Sequence, residues 1–190
     1  ISIDSNPCIE LGPIGSFADN GTSYPSVIKF EERYFMYFTG WNIGKTVPFY
    51  NNVGLAISKT PQGPFEYLSY APILNLCHEE PFGSGSSFCR YNSKEKVFEL
   101  FYTSFQKWIK SKDKISHTYC IKKTTSIDGC NWVRPGVFII KNTSKEDAII
   151  SRPSLMSDSE IFYCKRGENN KYKIYRSQKM ENGKWINDKS

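Results

Sequence analysis

The chain has 190 residues, 39% of them hydrophobic and 15% aromatic, enough for one packed core and weighted toward strands rather than helices. No run of about 18 apolar residues occurs, which excludes a membrane-spanning helix, and "ISIDSNPCIE" shows no basic segment followed by an apolar one, as a secretory leader would. The net charge of +6 comes from lysines that interleave with acids and match no nucleic-acid-binding module; it implies a mild preference for anionic partners, such as phosphorylated or acidic sugars, and not nucleic acid.

In chain order, residues 7–12, "PCIELG", read as an outer strand left over from a preceding unit, because they precede Asp19 as "PILNLC" precedes Glu80. After Asp19 comes a first strand over Pro25, Ser26, Val27 and Ile28, a polar turn "FEERY", and an aromatic strand from Tyr34 to Phe38. A long connection, "GWNIGKTVPFYNN", leads to a third strand "VGLAIS" ending on Ser58. The turn "KTPQGP" then brings Phe65, which opens a fourth strand.

The same order returns twice. Glu80 precedes Ser86, Ser87, Phe88 and Cys89, then an aromatic strand from Phe98 to Tyr102, the connection "SFQKWIKSKDKISH", "CIKKTTS" ending on Ser126, and Trp132. Glu146 precedes Pro153, Ser154, Leu155 and Met156, then Ile161 to Cys164, "KYKIYRS" ending on Ser177, and Trp185. A repeat of about sixty residues, each copy four short strands, is the mark of an all-β propeller of antiparallel blades. A β-sandwich would not need the acid, the serine and the aromatic to recur in register.

The blades fall at about residues 16–70, 79–139 and 145–190 of a single domain. Propellers typically close with about four to eight blades, so further sequence or partner chains are expected to complete the ring. In this topology the connection entering each innermost strand shares a face with the long connections between second and third strands. Asp19, Glu80 and Glu146 are therefore expected on one rim with Trp41, Tyr50, Phe105 and Trp108, and with Arg152 and Arg166 of the third unit.

Carboxylates in a pocket walled by aromatic rings suit glycosidic-bond chemistry: one acid protonates the leaving oxygen, another activates water or attacks carbon, and rings stack on the sugar. An arginine holds one carboxylate ionised while burial raises another, which separates the two roles. Each element also has a plainer reading. Asp19 and Asn20 before Gly21 suit a turn, Glu80 and Glu146 suit pairing with lysines, and the aromatics suit the blade core.

No cofactor motif occurs. His78 and His117 are too few, and wrongly spaced, for a metal site. The serines lack a nucleophile elbow. The six cysteines form no CxxC, and Cys89, Cys120 and Cys164 fall within strands, as buried thiols of a reducing cytoplasm would.

"GSFADNGTSYPSVIKFEERYFMYFTGW", "VGLAIS", "EEPFGSGSSF", "TTSIDGCNW" and "EDAIISRPSLM" resemble the five-bladed β-propeller proteins related to glycoside hydrolase families 43 and 32, above all poorly characterised family 43-like members associated with polysaccharides. The resemblance runs from about Pro7 to Trp185. It implies a glycosidase framework with Asp19 as base, Glu80 as the acid that adjusts pKa values, Glu146 as general acid and Arg152 as charge partner. Glu79, which follows His78, competes with Glu80 for the middle position. Relatives of this kind carry an Asp where this chain has Ala18. The implied function is cleavage or transfer of a glycosyl group. The alternatives are a catalytically silent carbohydrate-binding propeller and a sugar transferase or phosphorylase on the same scaffold.

Overall fold

The computed structural model describes residues 5–112, 114–141, 149–166 and 171–187. Its elements are twelve strands. In chain order they are β1 (Gly21–Phe30), β2 (Arg33–Ile43), β3 (Phe49–Ser58), β4 (Glu66–Tyr67), β5 (Ser84–Asn92), β6 (Val97–Ser111), β7 (Lys114–Ser126), β8 (Val137–Ile140), β9 (Ile149–Ser157), β10 (Glu160–Arg166), β11 (Tyr172–Lys179) and β12 (Trp185–Asn187). They form three four-stranded antiparallel sheets, β1-β2-β3-β4, β5-β6-β7-β8 and β9-β10-β11-β12. Sheets one and two touch through β5, and sheets two and three through β9, so the innermost strands β1, β5 and β9 are neighbours about one axis. This is the arrangement of β-propeller blades.

The middle sheet shows why the sequence folds this way. Along β6, Phe98, Leu100 and Tyr102 face the first sheet and pack with Phe35, Tyr37, Val53 and Leu55. Phe101 points to the opposite side and packs with Ile150, Leu155 and Ile161 of the third sheet. A strand buried on both faces needs apolar residues on both rather than strict alternation; "FELFYTS" supplies them, and its one charge, Glu99, is paired with Arg90 and Lys123. Each fully buried side chain of this size contributes about 1.5–3 kcal/mol relative to exposure.

The outer face of the first sheet is covered by the segment before β1. Phe17 and Ala18 pack with Met36, Phe38, Ala56 and Phe65. Phe17 fits because β2 and β3 present Gly40 and Gly54 beneath it; a Cβ at Gly40 would stand 2.5 Å from the ring, and one at Gly54 would also strike it. Ala18, fully buried beside Phe17, occupies an apolar position where a carboxylate would be desolvated.

Three local expectations change. Residues 7–12 form no strand; the Cys8 carbonyl accepts from Phe65 N at 2.7 Å and the Glu10 carbonyl from Tyr67 Oη at 2.8 Å, which binds the segment beside β4. The two long connections are mostly hairpin arms. β2 and β3 pair out to Ile43 opposite Phe49, and β6 and β7 out to Ser111 opposite Lys114, because bulky residues continue along both strands. Trp132 precedes β8 rather than opening it, and packs edge-on against Tyr37 of the first sheet at 5.8 Å.

Candidate functional site

Each innermost strand carries an irregularity at the same level; β9 has a second near its end, between the partners Leu155 and Ser157. The β1–β2 register breaks between Ser23 and Ser26, the β5–β6 register between Gly85 and Ser87, and the β9–β10 register between the partners Ser151 and Ser154. At these bulges stand Tyr24 (φ 51°), Ser86 (φ 29°) and Arg152 (φ 56°). Non-glycine residues in this region cost about 1–3 kcal/mol each and persist where surrounding structure holds them, most often at functional sites. Pro25 and Pro153 follow two of them; a proline brings no N–H to the ladder and is tolerated at a bulge.

The three bulge residues line one cleft of about 220 Å³ at the axis. Its walls are aromatic and polar: Trp41, Phe105, Tyr119 and Tyr172, with Asn51, Thr103 and His117, and the guanidinium groups of Arg152 and Arg166. Arg152 Nη2 donates to the Tyr24 hydroxyl at 3.1 Å, and the guanidinium lies 4.8 Å from the centroid of that ring. Burial, reinforced by nearby Tyr172 and opposed by Arg166, holds the Tyr119 phenol above its ordinary range, so it remains a neutral hydroxyl. The two hairpin arms lean together above the cleft, with the Phe49 ring 5.1 Å from Trp41, 5.4 Å from Trp108 and 5.6 Å from His117.

The expected acids are not among the described residues that line this cleft. Asp19 is half-buried in the turn before β1, where Oδ2 accepts from Gly15 N at 2.9 Å and Oδ1 from Asn42 Nδ2 at 2.6 Å. Glu80 is 2% exposed and fully engaged inside the second sheet. Oε1 accepts from Tyr102 at 2.8 Å, Ser104 at 2.9 Å and Lys122 at 3.1 Å; Oε2 accepts from Arg134 at 2.8 Å and Gly136 N at 3.3 Å. Tyr102 and Ser104 lie two apart on one face of β6, and Lys122 pairs with Tyr102 across the ladder, so the sheet itself builds this nest. Burial alone would raise the Glu80 carboxyl; Arg134, the two hydroxyls and Lys122 outweigh it and hold it below the ordinary value. Glu79 is exposed. Glu146 lies outside the described residues.

Of the expected binding residues, Trp41, Arg152 and Arg166 line the cleft, as does Phe105. Trp108 stands behind that wall, its ring 5.9 Å from Phe105 and 5.0 Å from His117. Tyr50 is 45% exposed on β3 and does not line the cleft. Sequence reasoning passed over Tyr24, Ser86, Asn51 and Tyr172. The repeated Tyr24-Pro25-Ser26 and Arg152-Pro153-Ser154 carried a usable signal, since a proline inside a central strand forecasts a bulge. Among the described residues, no group of three or more His, Cys, Asp or Glu side chains is placed to hold a metal ion. All six cysteines are free.

No family model matches the chain. It is 28% identical over 188 residues to the uncharacterized proteins MT1551 and Rv1502 of Mycobacterium tuberculosis, a stretch covering 97% of this chain and 60% of each relative. Among solved structures, a glycoside hydrolase superposes with a TM-score of 0.70 at 16% identity, over 92% of this chain and 57% of its own. A structure described as a BT0996 RGII complex gives 0.72 at 16% identity, over 94% and 58%. An endo-arabinase from Bacteroides thetaiotaomicron gives 0.65 at 14% identity, over 94% and 64%. The chain therefore spans less than two thirds of the length of these relatives and neighbours, and it has the β-propeller fold of glycoside hydrolases.

Proposed function

We propose that this chain belongs to a carbohydrate-active propeller and that the axial cleft is its sugar site. The observation that carries the reading is the convergence of three strained bulge residues, one per blade, on a cleft walled by Trp41, Tyr24 and Tyr172. Aromatic faces with a few convergent polar groups are what a sugar ring requires. The neighbours named glycoside hydrolase and endo-arabinase add support. So does the RGII complex. Three blades of a five-bladed ring agree with the 57–64% of those neighbours that is covered. Further sequence or partner chains would then supply the remaining blades.

The geometry favours sugar binding over cleavage by the expected acids. Hydrolysis with a carboxylate pair needs two acids flanking one bond, about 5–9.5 Å apart. Glu80 is committed to two buried cations, and Asp19 to a turn and Asn42. A second reading, glycosyl cleavage or transfer, is supported by Ile149 lining the cleft three residues after Glu146.

The test is a screen of the full chain and a Glu146→Gln variant against aryl glycosides and a glycan panel, read for both turnover and binding. Saccharide binding without turnover in either form supports the binding reading. Turnover that Glu146→Gln abolishes would replace it with the enzymatic one, and absence of any saccharide binding would sink both.

A further inference from the structure

The cleft carries two guanidinium groups, and no described residue lining it is a carboxylate. Neither Arg152 nor Arg166 forms an ion pair with a described residue. Three of the four other arginines are paired: Arg90 with Glu99 and Asp158, Arg134 with Glu80, and Arg176 with Glu160. Arg152 is instead held by aromatic neighbours, 4.8 Å from the Tyr24 centroid and 6.0 Å from that of Tyr172. A guanidinium positioned by ring faces keeps donor edges for an anion, and its planar fork matches both carboxylate and phosphate oxygens.

A second observation at the same cleft is independent of charge. Asn51 is 5% exposed, lines the cleft, and holds a buried Oδ1 with no hydrogen-bond partner among the described residues. Buried acceptors are normally satisfied, so an orphan on a residue that lines the cleft is an acceptor a ligand hydroxyl can use once the amide turns toward it. The position is fixed by the backbone: Gly83 lies against the Asn51 carbonyl so closely that a Cβ there would strike it, and Gly83 itself has φ 104°.

We propose that the axial cleft recognises a sugar bearing an anionic group, a carboxylate or a phosphate, with the anion against Arg152 and Arg166 and a sugar hydroxyl donating to Asn51. This rests on the sugar-site reading above and deepens it by naming the ligand class. Trp41 and Tyr24, whose rings stand 6.3 Å apart and tilted by 48°, supply apolar faces for the ring of the same ligand.

The experiment is calorimetric titration of the full chain with four probes: a uronic-acid disaccharide, the matching neutral disaccharide, a hexose 1-phosphate and inorganic phosphate. At least one anionic sugar is expected to bind about tenfold or more tightly than the neutral one, the scale of a charge-assisted hydrogen bond. Arg152→Gln and Arg166→Gln should each lower the preference for the anionic over the neutral sugar by about that factor. Raising salt should weaken only the anionic probes. The two anionic sugars distinguish a carboxylate site from a phosphate site.

Equal affinity for neutral and anionic sugars overturns the inference while leaving the sugar site intact. Binding of inorganic phosphate as tight as that of hexose 1-phosphate, with no uronate binding, also overturns it. No saccharide binding at all sinks the underlying reading. Should either variant fail to fold, judged by circular dichroism, the selectivity of the unsubstituted chain still decides.

Discussion

The Arg152 guanidinium, on the innermost strand of the third blade, donates to the Tyr24 hydroxyl of the first blade at 3.1 Å and lies over its ring at 4.8 Å. Two residues 128 positions apart in the chain thus meet across the axis. Both have positive φ, so each bulge aims its side chain at the other blade. The contact is partly exposed, which limits its worth to about 0.5–1 kcal/mol. A double-mutant cycle with Tyr24→Leu and Arg152→Gln, followed by urea denaturation, should return a coupling of that size. Additive effects would show that the contact contributes nothing to stability.

Glu80 is predicted to act on stability. Glu80→Gln leaves Lys122 and Arg134 buried without a counter-charge, a change that typically costs about 3–5 kcal/mol. The urea midpoint should fall accordingly. A variant with an unchanged midpoint would restore Glu80 as a candidate catalytic acid.

Acid should destabilise the fold through two carboxylates. Glu80 is held below its ordinary value as described, and Glu99 likewise: burial opposes ionisation, but Lys123 and Arg90 outweigh it. A carboxyl depressed in the folded state contributes stability that is fully present above the unfolded value of about 4.3. That contribution is lost as pH falls through the folded values. Urea midpoints should therefore drop from about pH 4.3 downward, less steeply in a Glu99→Gln variant. A midpoint that rises on acidification would contradict this.

Gly54 is predicted to be intolerant of a side chain. A Cβ there strikes Phe17 and would also stand 2.7 Å from Phe38. Gly54→Ala should cost about 1–3 kcal/mol by overpacking, measured as a lower thermal midpoint. Because Phe17 anchors the turn that holds Asp19, proteolysis in residues 12–20 should become faster in the same variant.

The scaffold was legible because its signal is local. "FELFYTS" puts bulky apolar residues on both faces, Phe98, Leu100 and Tyr102 on one and Phe101 on the other, as a strand sandwiched between two sheets needs. The recurrence of the acids was equally legible, but their directions were not. Asp19 and Glu80 lie in connections whose paths are set by distant partners, Phe17 on Gly40 and Gly54 in one case and the Tyr102, Lys122 and Arg134 nest in the other. Strand periodicity says nothing about such segments. Tyr24 was hidden differently: it reaches the axis only because the backbone bulges, and its one sequence mark is the proline that follows, whereas Arg152, at the matching bulge, was expected on the rim. Trp41 and Arg166 were found from their position alone, and Trp108 was misplaced by one layer because its connection continues as paired strand.

Sugar binding at the Tyr24, Ser86 and Arg152 cleft is tested most directly by a crystal structure of the protein with the saccharide that binds most tightly in titration. The expected result is a sugar ring against Tyr24 and Trp41, with its anionic group on Arg152 and Arg166 and a hydroxyl on Asn51. A sugar seated instead between Asp19 and another carboxylate, with the Arg152 cleft empty, would contradict it.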